Sequence, residues 1–495
     1  MPVEVVVHLA SHRRGGRGSR IGPDKLGFVA LAPRRADTPK QKPDPARRYR
    51  HQRRWSTLLM LQLEPRQGAL HCRHETSTRV VPPRSISVTN PTPRPHPVEP
   101  CPPHLAEALH SGHLAMHPLS GAEMRVGFVG WRGMVGSTLR ARMTEQKDWV
   151  GLEASFFSTS SPGGPPPQTP GAARQPPPLL PADNLSALSR CEAIVTCQGS
   201  AWTRAAHPQL RAAGWKGAWI DAASALRMEP DSTIVLDPIN RPLIDAALAA
   251  GKRDFVGGNC TVSLLLMGLG GLFRADLVRF LSTMTYQAAS GAGAQKMVEL
   301  VHQMHDLGKI GAKVAASSSA LDVAEAVAAR MHHSDHPTGS IGYPLAGNLL
   351  PWIDAPLEDG RSREEWKGQA ESTRILGRTT PVPIDGLAVR VGSLRCHAQA
   401  VTIGLTRPAD LDEIAQVIQS TSPWTHLVPN TPEATQRQLT PAAVTGTMTV
   451  AVGRLRRLHT APDHIGLLTL GDQLLWGAAE PVRRMLRIWR EHTGQ

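Results

Sequence analysis

The sequence has no long apolar run and no closely paired cysteines. No stretch of about 18 uninterrupted apolar residues, the least that a membrane-spanning helix needs, occurs in its 495 residues. The six cysteines, at positions 72, 101, 191, 197, 260 and 396, show none of the C-x-x-C spacing that is typical of zinc and redox sites. We therefore expect no membrane partner, no metal, and free thiols in a reducing, cytoplasmic compartment.

Acidic residues are few relative to basic ones, but the imbalance is local. The formal net charge is +14; residues 1–123 hold 19 Lys and Arg against 9 Asp and Glu, and the rest of the chain holds 36 against 32. The body therefore has the charge balance of an ordinary enzyme, and we expect no nucleic acid partner for it. A basic nucleic-acid-binding module in residues 1–123 is the alternative of a different class.

Residues 1–123 also lack the sustained periodicity of helices and strands. Prolines interrupt them repeatedly, as in Pro91-Thr-Pro-Arg-Pro-His-Pro97 and Cys101-Pro-Pro103. Such a segment buries too little apolar surface to offset its ordering entropy, so we expect a disordered leader. Because Met124 directly precedes the first strong fold signature, we interpret Met1 as a start that was assigned too early.

From Met124 onward, strand patterns alternate with helix patterns. Strands are predicted at 125–130, 154–158, 193–197 and 218–220, and helices near 135–145, 185–188 and 207–213. This alternation is typical of an α/β domain with a parallel sheet, and we assign residues 124–258 to a Rossmann-type domain.

After about residue 259 the pattern changes. Apolar helices at 261–273, 296–307 and 320–329 mix with strands at 283–288, 387–392 and 398–405, which predicts an α+β catalytic domain over residues 259–473. The final segment, 474–495, contains an amphipathic helix that we expect to return to the first domain.

A glycine-rich turn follows the first predicted strand. In Gly127-Phe-Val-Gly130-Trp-Arg-Gly133-Met-Val-Gly136, the strand ends at Gly130, the turn tightens at Gly133, and Gly136 lets the helix approach the strand. A dinucleotide pyrophosphate would bind at this helix N-terminus.

The second strand indicates which dinucleotide binds. NAD enzymes commonly place a carboxylate at the end of this strand for the ribose 2′-hydroxyl. Here the strand ends Ser158-Thr159-Ser160, without a carboxylate, and Arg132 lies in the glycine turn. Hydroxyl donors helped by an arginine suit a 2′-phosphate, so we expect NADP rather than NAD.

Cys260 is the candidate nucleophile. In Phe255-Val-Gly-Gly-Asn-Cys260-Thr-Val-Ser-Leu-Leu-Leu266 a short strand passes through two glycines into an apolar helix. Unpaired backbone N–H groups and the helix dipole at a helix start favour a thiolate. The two glycines also let a ligand approach the backbone, so we interpret Cys260 as a reactive thiol rather than a small core residue.

A base and substrate clamps are needed beside such a nucleophile. Gln287 ends a predicted strand before a glycine-rich turn. Arg390 and His397 are seven residues apart, which places them on opposite faces of one strand unless a turn at Gly392 intervenes. By itself this pattern leaves His397 as a structural histidine or a base.

Several long motifs recur in the order seen in one known family. They are Val126–Gly136, Trp219-Ile-Asp-Ala-Ala-Ser-Ala-Leu-Arg-Met228, Phe255–Ser263, Thr285–Gly291, Ser362-Arg-Glu-Glu-Trp-Lys-Gly-Gln-Ala370 and Gly471-Asp-Gln-Leu-Leu-Trp-Gly-Ala-Ala-Glu-Pro481. From Met124 to about residue 488 the chain resembles the bacterial aspartate-semialdehyde dehydrogenases. The resemblance implies NADP-dependent, phosphorylating oxidation of aspartate 4-semialdehyde in lysine, methionine, threonine and diaminopimelate biosynthesis, by a homodimer joined through the second domain.

The resemblance also implies roles for individual residues. Cys260 would be the nucleophile and His397 the acid/base, while Gln287 would orient the reacting group. The substrate α-carboxylate would bind Arg390 and its amino group Glu364. Phosphate would bind three further residues, Arg227, Asn259 and Lys367.

The implied NADP contacts come from both domains. They are Gly130, Arg132, Gly133, Met134, Val135, Gly136, Thr159, Ser160, Gln198, Ser290, Gly291 and Gln473. The chain departs from the family pattern at the serine run 317–319, where the family has a proline near the cofactor.

Two related activities remain as alternatives, namely phosphorylating dehydrogenases of the N-acetylglutamyl-phosphate and glyceraldehyde-3-phosphate types. The second type carries its catalytic histidine a few tens of residues after the cysteine. Here Gln287 stands at that distance, and His397 follows much later. The charged clamp also favours a small amino acid as substrate.

Overall fold

The computed structural model describes residues 123–315 and 319–494. The predictions of a disordered leader, a nucleic-acid-binding arm and an early start concern residues 1–122 and lie outside these ranges. The serine run is described only at Ser319, which caps a helix through the N–H of Asp322.

A parallel sheet forms the centre of the first domain. Its strands are β1 (Met124–Val129), β2 (Leu152–Ser158), β3 (Leu180–Pro181), β4 (Ala193–Thr196), β5 (Ala218–Asp221), β6 (Ser232–Val235) and β7 (Asp254–Gly257). The order is β3-β2-β1-β4-β5-β7-β6, and every pairing is parallel. The predicted Rossmann-type architecture is therefore confirmed.

Four helices connect these strands: α1 (Met134–Glu145), α2 (Leu185–Leu188), α3 (Ser200–Ala212) and α4 (Asp237–Ala249). The turn before α1 requires glycine, because Gly130 has φ +73° and a Cβ there would lie 2.4 Å from the carbonyl carbon of Cys197. Helix α3 begins seven residues before the predicted position 207, since Pro208 lies inside the helix instead of starting it.

A mixed sheet forms the second domain. Its strands are β8 (Val278–Gln287), β9 (Leu349–Leu350), β10 (Ile384–Val391), β11 (His397–Leu405), β12 (Thr425–Leu427), β13 (Val450–Arg457) and β14 (His464–Gly471), in the order β12-β13-β14-β11-β8-β10-β9. Strand β8 runs parallel to β10 and antiparallel to β11. Gln287 and Arg390 are consequently register partners, and β11 begins beside them at His397.

The helices of this domain are α5 (Cys260–Arg274), α6 (Ala294–Ala315), α7 (Ala320–Met331), α8 (Arg363–Ile375), α9 (Leu411–Gln419), α10 (Pro432–Gln438) and α11 (Pro441–Val444). Helix α5 is buried from Thr261 to Phe273, which explains why it is apolar on all sides. Among the helices within the described ranges, none combines the length and apolarity that crossing a membrane requires.

The chain ends against the first sheet. Instead of the single helix predicted from residue 474, a π-helical turn (Leu475–Ala479) precedes α12 (Glu480–Thr493). Apolar residues of α12, including Val482 and Met485, pack in one cluster with Met124 and Phe255. The last helix therefore returns to the dinucleotide-binding domain.

Candidate active site

Cys260 is held by a capped helix start. Asn259 is the N-cap of α5, and its Oδ1 accepts the backbone N–H groups of Thr261 at 2.9 Å and Val262 at 3.2 Å. Its Nδ2 donates to Glu364 at 3.0 Å. The asparagine thus fixes the helix end that carries the thiol and joins it to the polar side chains opposite.

The other side of Cys260 is closed by the π-helical turn. A Cβ on Gly477 would lie 2.9 Å from Cβ and 3.1 Å from Cα of Cys260. Only glycine allows this approach without displacing the nucleophile. The wider π-turn therefore has a local function, since it brings residue 477 against the cysteine.

His397 is fully buried, and its hydrogen bond defines its neutral form. Nδ1 accepts the backbone N–H of Ala288 at 3.1 Å, so the proton of the neutral ring lies on Nε2. Nε2 has no hydrogen-bond partner within the described part of the chain. The site consequently holds one unsatisfied, buried N–H donor, which is rare unless a ligand completes it.

Ala288 also positions the arginine clamp. Its carbonyl accepts Nη1 of Arg390 at 2.8 Å, so one peptide unit orients both Arg390 and His397. A Cβ on Gly291 would lie 2.9 Å from Nε2 of His397 and 3.0 Å from Nη1 of Arg390. Gly291 therefore lies directly against both groups. Because Arg390 lies in β10 and His397 in β11, the turn between the two strands brings them together despite their odd spacing along the chain.

Helix α8 presents a row of charged side chains to this site. Glu364 is buried and accepts Asn259 Nδ2 at 3.0 Å, Gln287 Nε2 at 3.2 Å and Lys367 Nζ at 2.9 Å. Burial opposes its ionisation, but Lys367 and the hydrogen bonds outweigh this and hold the pKa of Glu364 below its ordinary value. The pair is thus a buried, connected carboxylate and ammonium rather than a solvated surface pair.

Arg227 lies on the other side of the nucleophile loop. It donates to the carbonyls of Gly257 at 2.7 Å and Gly258 at 3.0 Å, and to Glu371 at 3.1 Å. The second oxygen of Glu371 accepts the backbone N–H of Asn259 at 2.6 Å. Glu371 and Arg227 together therefore brace the two glycines and the asparagine that precede Cys260.

The surroundings of Cys260 do not favour a thiolate, contrary to the expectation from the helix start. Burial, with a further contribution from Glu364, raises the pKa of Cys260 to about 12, although Arg390, Arg227 and Lys367 act in the opposite direction. Burial and then Arg390 lower the pKa of His397 to about 3. A histidine that acts as acid and base is expected to have a near-neutral pKa, but in this structure burial keeps both thiol and imidazole neutral.

These pKa values predict how fast the free enzyme is alkylated. Only the thiolate reacts, and its fraction rises about tenfold per pH unit below the pKa. We expect iodoacetamide to inactivate the free enzyme at a rate that rises steadily from pH 7 to 10 without a plateau. Loss of activity, rather than total label, isolates Cys260 from the other thiols. A plateau centred near neutral pH would contradict the buried, neutral thiol.

A second cluster lies at the end of β2. Arg132 donates to the hydroxyls of Ser158 at 2.6 Å, Ser160 at 2.8 Å and Ser161 at 2.6 Å. Its guanidinium also lies 5.2 Å from the Trp131 ring centroid. The arginine predicted from sequence and the hydroxyls after β2 are thus brought together, with no carboxylate among these contacts.

The other predicted cofactor residues fall into two groups. Gly133 is the N-cap of α1, Met134 and Val135 begin that helix, and Gln198 contacts Thr159 at 3.4 Å. A Cβ on Gly136 would lie 2.4 Å from the Gly130 carbonyl oxygen, as the close approach of helix and strand requires. In the second domain Gln473 accepts the N–H of Cys396 at 2.7 Å and donates to Ser290, next to His397.

Four contributing residues were missed from the sequence: Ser161, Asp354, Glu371 and Gly477. Glu371 follows Glu364 by seven residues, so both lie on one face of α8, and that spacing was a usable signal. Ser161 continues the hydroxyl run after β2. Asp354 and Gly477 act through loop and π-turn geometry, for which the sequence carried no clear signal. No cluster of metal-ligating side chains occurs in residues 123–315 and 319–494.

Comparison with known protein families defines the class. Residues 125–247 match the semialdehyde dehydrogenase NAD-binding domain, and residues 269–476 match the semialdehyde dehydrogenase dimerisation domain. The chain is therefore an oxidoreductase of the semialdehyde dehydrogenase class that binds NAD(P).

Solved structures narrow this assignment. Aspartate semialdehyde dehydrogenase from Francisella tularensis is 43% identical, with a TM-score of 0.71 over 74% of this chain and 99% of its own. Aspartate semialdehyde dehydrogenase II from Vibrio cholerae, solved with ASA, is 20% identical, with a TM-score of 0.61 over 74% and 98%. The Candida albicans enzyme, solved with NADP, is 16% identical, with a TM-score of 0.51 over 76% and 100%. The last two show the fold alone.

The chain belongs to the aspartate-semialdehyde dehydrogenase family. The resemblance inferred from the sequence motifs is thereby confirmed. These matches give no support to the N-acetylglutamyl-phosphate, glyceraldehyde-3-phosphate or nucleic-acid-binding alternatives.

Proposed function

We propose that this enzyme converts L-aspartate 4-semialdehyde and phosphate to L-4-aspartyl phosphate with NADP, and that biosynthesis uses the reverse direction. The observation that carries the proposal is the convergence of Cys260 with an unpartnered Nε2–H on His397 and with a carboxylate, an ammonium and two guanidinium groups. A small zwitterion and an inorganic anion need this set of charges. We place the enzyme in the cytoplasm, in the lysine, methionine, threonine and diaminopimelate branch of biosynthesis.

The side chains divide the chemistry. Sγ of Cys260 attacks the aldehyde carbon, and the thiol proton ends on the aldehyde oxygen, so that a neutral thiohemiacetal forms. Nε2–H of His397 donates to the oxygen that gains charge, which is the acid half of its acid/base role, while Gln287 orients the reacting group. Bound NADP would supply the hydride acceptor for this carbon, and the hydroxyl proton would be released as the carbonyl of the thioester forms. Phosphate then displaces Cys260 from the resulting thioester.

The clamp residues hold the substrates in place. The fork of Arg390 fits the α-carboxylate, and buried Glu364 fits the amino group. Lys367 offers phosphate an ammonium with one of its three N–H groups uncommitted, since Glu364 and Asp354 take two. Arg227 and Asn259, which brace the nucleophile loop, complete the phosphate site from the other side.

We propose NADP rather than NAD because of the cluster around Arg132. A guanidinium and three hydroxyls can donate hydrogen bonds to the 2′-phosphate of NADP, whereas the ribose 2′-hydroxyl of NAD is usually bound by a carboxylate acceptor. The cofactor would be held there, along the turn from Gly130 to Gly136, and by Gln198, Ser290, Gly291 and Gln473. The hydroxyls of Thr159 and Ser160 supply further donors.

A cofactor comparison tests this proposal. We expect phosphate-dependent reduction of NADP with aspartate semialdehyde, and a clearly higher kcat/KM with NADP than with NAD. Arg132→Ala should raise the KM for NADP about ten- to a hundredfold, as expected for one charge-assisted contact of roughly 1.5–3 kcal/mol, and leave NAD use unchanged. Exposed Arg174, whose ion pair with Glu123 spans 3.9 Å, gives the control Arg174→Ala. Preference for NAD in the wild type would refute the assignment.

We further propose that the enzyme is a homodimer. Helix α6 exposes Val298, Val301 and Met304 along one side, and Leu321 of α7 is 74% exposed. Other exposed large apolar residues of this domain are Tyr286, Tyr343, Leu349, Trp352 and Leu387. Such a concentration of exposed apolar side chains in a dimerisation domain fits a surface that a second copy covers.

A further inference from the structure

Lys367 lies between two carboxylates. Its Nζ donates to Glu364 at 2.9 Å and to Asp354 at 2.7 Å. Glu364 is also committed to Asn259 and Gln287. Among the described residues, Lys367 is the only ion-pair partner of Asp354 within 4 Å, and Arg363 acts on it from further away. Asp354 is one-third exposed, and Lys367 is much less so. The aspartate therefore binds the ammonium from the solvent side.

Asp354 is held in place by its own loop. Its φ is +72°, a left-handed conformation that non-glycine residues seldom adopt and that aspartate tolerates better than most. The N–H of Ala355 donates to its Oδ1 at 2.8 Å, and Nε1 of Trp352 donates to its backbone oxygen at 2.9 Å. A strained residue maintained by neighbouring contacts is a frequent mark of a functional site.

The carboxylate of Asp354 is ionised in this arrangement. Burial opposes ionisation, but the hydrogen bonds from Lys367 and Ala355 prevail and hold its pKa below the ordinary value. A phosphate dianion that approaches Lys367 must therefore either displace Asp354 or bind beside its negative charge. Both cases weaken phosphate binding relative to a site without this carboxylate.

We infer that Asp354 is a positioning residue that holds Lys367 and limits the affinity for phosphate by competing with it. The inference rests on the proposed role of Lys367 as a phosphate contact. Weak phosphate binding has a clear use in the biosynthetic direction, in which inorganic phosphate forms when Cys260 attacks the acyl phosphate and must then leave.

Asp354→Asn tests this directly. Asparagine keeps the Oδ1 acceptor for Ala355 and tolerates the left-handed backbone, but removes the charge. We expect the KM for phosphate in the oxidative direction to fall about tenfold, the scale of one charge-assisted contact, at constant ionic strength. The KM for aspartate semialdehyde, a zwitterion without net charge, should change less than about twofold. A merely structural role would raise both.

Two further variants test whether the effect on phosphate binding comes from the charge of Asp354. Asp354→Gly removes the carboxylate and suits the positive φ, so it should also tighten phosphate binding. Asp359→Asn is the matched control, because Asp359 lies in the same loop and pairs with Arg361 instead of Lys367. Its phosphate KM should equal that of the wild type.

Calorimetric titration of the free enzyme with inorganic phosphate separates this inference from the proposed reaction. A lower Kd in Asp354→Asn and Asp354→Gly supports the competition even if turnover proves independent of phosphate, which would refute the proposed function alone. An unchanged or higher Kd in both variants would overturn the inference while phosphate-dependent turnover remained intact.

Discussion

Replacement of Cys260 by serine is expected to lower kcat by roughly a thousandfold or more, as for other enzymes that lose a covalent nucleophile. A serine hydroxyl is a far weaker nucleophile than a thiol, and His397 offers neither side chain a free basic nitrogen in this site. Its Nδ1 is occupied by the N–H of Ala288, and Nε2 already carries the proton. Steady-state kinetics with saturating aspartate semialdehyde, phosphate and NADP measure the loss.

Cofactor binding should be unaffected by the same substitution. The NADP contacts proposed around Arg132 and Gln198 do not involve Sγ, so the Kd for NADP of Cys260→Ser should stay within about twofold of the wild-type value. Cys191→Ser is the matched control, since Cys191 is buried in the first domain and donates weakly to the Ala187 carbonyl. Turnover of Cys260→Ser close to that of the control would exclude a thioester mechanism.

The glycine turn after β1 and the position of Cys260 at a capped helix start were predictable because local rules determine them. Gly130, Gly133 and Gly136 follow a strand and begin a helix, and this geometry needs glycine wherever it occurs. Cys260 follows two glycines and an N-cap asparagine at the start of an apolar helix, which is equally local. The alternation of strands and helices after Met124 identified the parallel sheet for the same reason.

The electrostatics of the site were not predictable from local rules. The helix start alone would lower the pKa of Cys260 and favour a thiolate. Burial beside Glu364 raises this pKa instead, and Glu364 lies in α8, more than a hundred residues later in the chain. The order β11-β8-β10 likewise places His397 and Arg390 on either side of Gln287, and no spacing rule gives that order. The family motifs supplied these residues, whereas Glu371, which with Arg227 braces the loop before Cys260, was found only in the structure.

Substitution of Gly477 by alanine is expected to lower kcat about ten- to a hundredfold, although residue 477 has no chemical role. The new methyl group would lie 2.9 Å from Cβ and 3.1 Å from Cα of Cys260, and 3.2 Å from Cβ of Gln473. Backbone and Cβ atoms cannot rotate away, so the nucleophile itself must move. A displacement of about 1 Å at a reacting group costs on the order of 100-fold in rate, and overpacking costs about 1–3 kcal/mol of stability.

The Gly477→Ala variant distinguishes two possible roles of the π-turn. If the turn serves only to begin α12, alanine at position 477 should lower the melting temperature and leave kcat per folded molecule unchanged. If it positions the thiol, kcat should fall in protein that is still folded at the assay temperature, and the iodoacetamide rate at Cys260 should change with it. Gly339→Ala is the matched control, because among the described residues a Cβ on Gly339 would meet only Oε2 of Glu299, at an ordinary contact distance of 3.9 Å. Equal kcat in the two variants would show that Gly477 has no part in holding Cys260.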